Sequence, residues 1–174
     1  MASDISALHH YVRLTARSSA LLFAATQATS AFGQRAAWAW RPLYVGFMAA
    51  HATHFAVVTR YAKVTGGSGL FPGGRSLNDV GGWPTVAGIY TFFAGLAVTG
   101  WAAGTPAATG KPRMRVAGRA ATGLIGAMFI GTYLGQISQS RWYAVPATLV
   151  GTAGIANLLA RRGRLGRTSA ARPV

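Results

Sequence analysis

The chain predicts an all-α, polytopic membrane protein, a bundle of about five transmembrane helices, and three observations lead there. Uncharged apolar runs, each near the ~20 residues that a helix needs to cross a bilayer, recur along 174 residues that are 51% hydrophobic. The 17 Lys and Arg face only two acids, Asp4 and Asp79, and they cluster between the runs. The runs are rich in Ala, Leu and Gly and show no alternation, which favours helices over strands. A strong basic excess suits either nucleic acid or anionic lipid. A nucleic-acid binder would spread its charge over a polar face, so no nucleic-acid partner is expected and the bilayer is.

Taken in order, the expected spans are Tyr11 to Phe32, Leu43 to Tyr61, Trp83 to Ala103, Val116 to Gln136, and Trp142 to Ala160. Basic residues followed by "SSALLFAATQATSAFG" also fit a signal peptide ending in small residues. Gln27 and two threonines interrupt its apolar part, and the approach to it is long, so the segment is expected to stay as the first span. Between the second and third spans, "VTGGSGLFPGGRSLNDVGG" reads as a flexible loop or lid. The tail, residues 161–174, reads as a disordered basic segment that anchors the topology against anionic lipid.

Basic residues set the orientation. Arg13, Arg17, Arg60, Lys63, Arg75 and Arg141 fall on the side of the N-terminus, and the other eleven of the 17 fall opposite. The N-terminus is therefore expected outside and the C-terminus in the cytoplasm. Gly131 and Gly135 form a GxxxG in the fourth span, and Gly118, Thr122 and Gly126 form a small-residue series before it. Such stripes let helix backbones approach closely in lipid, and a homodimer is one outcome.

The composition leaves little catalytic equipment. Without Glu, and with two Asp, there is no paired-carboxylate acid/base site and no carboxylate metal cage. Without Cys there is no disulfide and no thiolate ligand. His51 and His54 remain, inside the apolar stretch "YVGFMAAHATHFAVVTRY". His51 lies near the bilayer midplane and His54 about one turn closer to the outer face. Three residues apart, they point to one side of the helix, and in lipid both must face the bundle to find partners. They serve either as interhelical hydrogen-bond groups, through Thr, Tyr or backbone, or as ligands to haem iron. A closed zinc site lacks co-ligands.

Arg13 and Arg17, one turn apart in the first span, reach a depth close to that of His54. Each must snorkel to lipid phosphate or pair with an anion such as a haem propionate. His9 and His10 are expected at the interface, and Gln27, Tyr90, Thr91 and Asn157 are expected as buried polar groups bonding between helices. Trp142 and Tyr143 read as an interfacial aromatic anchor.

"YVRLTARSSALLFAATQAT" followed by "RPLYVGFMAAHATHFAVV" resembles the small bacterial members of the ferric reductase-like transmembrane family. There an "R-x-T-A-R-x-S-x-x-L-F" helix precedes an "R-x-L-G-L-x-F-A-x-S-H-x-x-H" helix. Arg13, Thr15, Ala16, Arg17, Ser19, Leu22 and Phe23 match the first pattern, and Arg41, Leu43, Phe47, His51 and His54 the second. Tyr44, Val45, Met48 and Ala50 depart from it, and the likeness covers residues 8 to 60. It implies a bacterial cytoplasmic-membrane bundle that binds b-type haem and moves electrons across the membrane with a redox partner.

The later-helix pattern of that family, "R-R-L-H-x-x-G-x-x-Y", meets "RMRVAGRAATGLIGAMF" here, which holds no histidine. Ligation by histidines of both usual helices is therefore absent. Two readings stand at this point. In one, His51 or His54 holds haem, with the sixth position open or filled by His9, His10 or Met128, and with Arg13 and Arg17 on the propionates. In the other, the chain is a cofactor-free structural or accessory subunit whose histidines only hydrogen-bond between helices. A transporter is less well matched, since neither inverted repeats nor broken helices are visible. No flavin or nicotinamide motif is present, so an enzymatic activity is not assigned.

Overall fold

A computed structural model describes residues 2–32, 36–68, 70–71, 75–104, 111–137 and 140–170. Five long helices account for most of them: α1 (Ala2–Ala31), α2 (Ala37–Thr65), α3 (Gly82–Ala103), α4 (Pro112–Leu134) and α5 (Ala144–Ala170). Short 3-10 turns, Asn78–Val80 and Arg141–Tyr143, lead into α3 and α5, and no strand occurs among the described residues. Each expected apolar segment is helical. Two helical stretches, Gly82–Ala103 and Arg141–Ala160, are long and apolar enough to cross a membrane. The mean hydropathy of α1, α2 and α4 is lower, because these helices carry the histidines, Gln27 and most of the helix-borne arginines.

Neighbouring helices pack in chain order around a ring, α1 against α2, α3 against α4, α4 against α5, and α5 back against α1. The backbones of α2 and α3 lie farther apart, and bulky rings fill the seam between them. Trp40 stacks on Trp101 at 5.6 Å, His51 on Phe93 at 3.7 Å and Phe55 on Tyr90 at 3.9 Å. Along α2 the ladder uses Trp40, Tyr44, Phe47, His51 and Phe55, a three-to-four-residue spacing that keeps one helical face toward α3. Tyr44 closes its lower half by donating its hydroxyl to the Ala97 carbonyl at 2.8 Å. Gly100 makes room for that hydroxyl, since a Cβ there would overlap it.

Glycines divide into two kinds. Gly118 lets α4 touch Ala103 of α3, where any added Cβ would collide with the alanine methyl. Gly131 behaves differently from the expected GxxxG contact: a Cβ there would meet nothing within 4 Å, so it brings no helix of this chain closer. The upstream series therefore does the intrachain packing.

The described residues of the loop between α2 and α3 include a hydrogen-bonded turn. Gly66 ends α2 in the left-handed conformation at φ 67°, the usual glycine stop. The Leu77 amide then donates to the Gly66 carbonyl at 2.9 Å, and Leu77 itself is buried. Ser76 donates its amide at 2.6 Å and its hydroxyl at 2.7 Å to the Asp79 carboxylate. These bonds hold the Asp79 carboxyl below the usual carboxylate range. A depressed folded-state pKa stabilises the turn at pH above the unfolded value and withdraws that support as pH falls through the folded one. The protection factor of the Ser76 amide is therefore expected to drop only below the ordinary Asp range, and Asp79→Asn should remove that pH dependence in hydrogen-exchange measurements. Retained pH dependence in Asp79→Asn would show that the turn is held by something else.

At the other end, α5 continues through 161–170 as helix, where the sequence reading expected a disordered tail from residue 161. Residues 171–174 of that tail lie outside the described residues.

Candidate functional site

The HATH pair is placed by two hydroxyls of α1. Ser19 Oγ lies 2.7 Å from His51 Nδ1, and Thr15 Oγ1 lies 3.1 Å from His54 Nδ1. Because α1 and α2 run antiparallel, Thr15 and Ser19, one turn apart, meet His54 and His51 in reverse order. Thr15 spends its single hydroxyl proton on the Tyr11 carbonyl at 2.8 Å, so His54 Nδ1–H is the donor toward Thr15. At His51 either tautomer satisfies the Ser19 contact. Both leave Nε2 buried without a partner, on a side chain only 7% exposed.

His51 and His54 line a cavity of about 360 Å³ enclosed by α1, α2, α3 and α4 and roofed by Leu70 and Phe71 of the α2–α3 loop. Phe55, Tyr90, Phe93, Phe129, Tyr133 and Tyr143 supply most of its aromatic wall. Around the His51 ring, Phe93 covers one face, while Phe55 and Phe129 stand nearly perpendicular to it at 4.3 and 5.5 Å. Tyr133, 3% exposed, contributes a second buried polar atom without a partner, its phenol oxygen. Two orphaned polar atoms in one aromatic cavity are costly, each forfeiting a hydrogen bond that water would supply. Buried unsatisfied groups of this kind call for an occupant or a function.

The two arginines separate. Arg13 lines the cavity beside Val12 and Ala16. Arg17 sits with its guanidinium carbon 5.7 Å from the centre of the Tyr143 ring, a cation–π contact, and does not line the cavity. Of the three groups considered for a sixth iron position, only Met128 reaches the cavity wall. His9 instead stacks on Tyr61 at 5.5 Å, and His10 meets the edge of Tyr11. Burial, with Arg13 adding to it, holds the His9 imidazole below its ordinary pKa and hence neutral near pH 7. Among the described residues no three His, Cys, Asp or Glu side chains come together as a metal site.

The remaining polar expectations resolve individually. Asn157 donates its amide to Gln27 Oε1 at 2.8 Å, joining α5 to α1 in the interior. Tyr90 bonds with Thr59 and with the Phe55 carbonyl, both at 3.3 Å, while Thr91 is exposed and takes no part in the core. Trp142 is exposed as an interfacial anchor would be. Tyr143 is not part of such an anchor: it is buried, carries the Arg17 contact and lines the cavity. Phe55, Phe93, Phe129 and Tyr133 are wall residues that sequence reasoning missed, and Tyr143 is one it placed elsewhere. The spacing of Phe129 and Tyr133, one turn apart on α4, was the available signal for Tyr133.

Compared with known proteins, the chain matches no family model, no curated protein and no solved structure. What the site can do rests on its own chemistry. Its described lining holds no carboxylate and no thiol. It offers an aromatic cavity with three tyrosine phenols, two imidazoles and one arginine. That set suits a flat, largely apolar group with a few polar or iron-ligating positions.

Proposed function

We propose that the chain is an integral membrane protein whose five helices all span the bilayer, N-terminus outside and C-terminus in the cytoplasm, and that its cavity binds b-type haem for transmembrane electron transfer. Support for the membrane reading comes from an inverted distribution of side chains. Leu14 and Leu21 on α1, Val45 on α2, Ile89, Phe92 and Val98 on α3, Leu124 and Leu134 on α4, and Leu149, Ile155, Leu158 and Leu159 on α5 all point outward. Ser19, Thr26, Gln27, His51 and Asn157 are buried. A water-soluble bundle would bear a large energetic cost for that apolar exterior, whereas lipid tails solvate it. The modest hydropathy of α1 and α2 fits the same picture, since their polar groups turn toward one another.

One observation carries the haem reading, the orphaned Nε2 of His51 behind a Nδ1 held by Ser19. A ligating histidine anchors one ring nitrogen and presents the other to the metal. Thr15 and Ser19, the two anchors, belong to the first-helix pattern that resembles the ferric reductase-like family, and the histidines belong to the second. Their direct pairing gives a physical reason for both patterns to occur in one chain. Gly131 leaves open space on the cavity wall. When bound, haem would supply a one-electron iron couple. His51 would hold it through Nε2, with His54 the second candidate, and Arg13 would meet a carboxylate at the outer end, with Met128 within the same wall. Arg17 acts through Tyr143. At about 360 Å³ the cavity lies near the small end of ligand sites, so a macrocycle requires the Leu70–Phe71 segment to move outward. Electrons would come from quinol or a separate redox partner.

A second reading draws on the same hydrogen bonds. Ser19–His51 and Thr15–His54 are the interhelical contacts that a cofactor-free accessory subunit would use, and Phe93 packs flat on His51 as it would in a closed core. A reduced-minus-oxidised absorption spectrum of the protein purified in mild detergent, with haem stoichiometry, separates them. A b-type signal near one haem per chain supports the first reading. A flat spectrum from monodisperse protein expressed with added haem sinks it and leaves the accessory subunit.

A further inference from the structure

Apart from the histidine cavity, α4 and α5 leave a groove of about 300 Å³ with the buried Gln27 of α1 on its wall. Glycines line its length. At Gly123 and Gly154 an added Cβ would meet nothing within 4 Å, so these two do not serve close packing within the chain. Each nonetheless costs a helix about 1 kcal/mol relative to alanine. Arg119 stands at one end, and the only acids of the chain, Asp4 and Asp79, belong to the start of α1 and the loop before α3, at the far end of the bundle. Gln27 is 6% exposed, and its amide oxygen accepts from Asn157. A cation without an acid, an amide that can donate and an open small-residue trough therefore line one groove.

We propose that this groove is a binding site for one anionic phospholipid, with the phosphate on Arg119, an ester carbonyl accepting from the Gln27 amide, and an acyl chain lying along Gly123 and Gly154. The assignment rests on the membrane reading. It fits the end of the bundle at which Arg119 lies, seven residues into α4 or about 10 Å along its axis, within reach of a headgroup layer. A guanidinium suits a phosphate geometrically, and the strong positive charge of the chain selects an anionic lipid over a zwitterionic one.

The test is native mass spectrometry of the full-length protein released from bilayers containing equal phosphatidylglycerol and phosphatidylcholine. Wild type is expected to keep one phosphatidylglycerol. Arg119→Gln and Gly123→Leu should each lower that retention at least tenfold, the second by filling the trough. Arg115→Gln, an equal charge change on an exposed residue outside the groove, should leave it unchanged. Equal retention of the two lipids, or loss in Arg115→Gln as large as in Arg119→Gln, would overturn the site and mean general charge attraction. A parallel alkaline wash of membranes isolates the underlying assumption. A wild-type chain that washes off overturns the membrane reading together with the site. One that stays inserted but carries no selected lipid overturns the site alone.

Discussion

His51→Ala is expected to abolish the b-type absorption signal while the protein remains in the membrane at near wild-type level. The imidazole supplies the buried nitrogen that has no partner among the described residues, so removing it removes the proposed ligand and leaves the rest of the cavity wall in place. The structural loss is small by comparison. One interhelical hydrogen bond, to Ser19, is worth about 0.6 kcal/mol on average within a membrane. Ser19→Ala should act in the same direction but more weakly, lowering haem affinity about 10–100-fold, because it frees the ring to rotate without deleting the ligand. His54→Ala should spare most of the signal. Were the signal to vanish in His54→Ala and survive in His51→Ala, the ligand would be His54. Signal surviving in both would place the iron elsewhere.

Helix positions were legible in the sequence because hydropathy and length report directly on them: each of the five expected segments lies largely within a helix. The ends were less so. α1 begins at Ala2, ahead of the expected span from Tyr11, and its His9 stacks on Tyr61 of α2, a partner that nothing in its own segment announces. Partnerships across helices were the least legible. The three-residue spacing of His51 and His54 and the four-residue spacing of Thr15 and Ser19 were both visible. Only the antiparallel contact of α1 with α2 joins them. For the same reason the glycines could not be sorted in advance. Gly118 and Gly131 look alike along α4, yet one faces the Ala103 methyl and the other open space. Tyr143 was misread because an aromatic pair beside a span usually anchors at the interface, whereas here the 3-10 turn Arg141–Tyr143 points Trp142 outward and Tyr143 inward.

Phe47→Ala should produce the largest loss of stability among single core substitutions. Phe47 is fully buried and sits where α1, α2, α3 and α4 converge, with ring centres of Phe23 at 5.2 Å, Tyr44 at 5.5 Å, His51 at 5.9 Å, Phe93 at 6.1 Å and Phe129 at 6.2 Å. Aromatic truncations of this kind cost about 3–5 kcal/mol in water-soluble cores, part of it transfer of apolar surface and part the cavity left behind. In lipid the transfer part shrinks, because the unfolded reference keeps the ring in an apolar medium, and lost dispersion contacts carry the effect. The expected destabilisation is therefore nearer the lower figure, about 3 kcal/mol. It should be read as a lower Tm in detergent, together with a loosened His51 ring and weaker haem retention. Phe92→Ala is the matched control, since Phe92 points outward on α3 and should shift Tm little. If both substitutions lowered Tm equally, the convergence of rings around Phe47 would not be the centre of the fold, and the order of helices around the bundle would have to be revised.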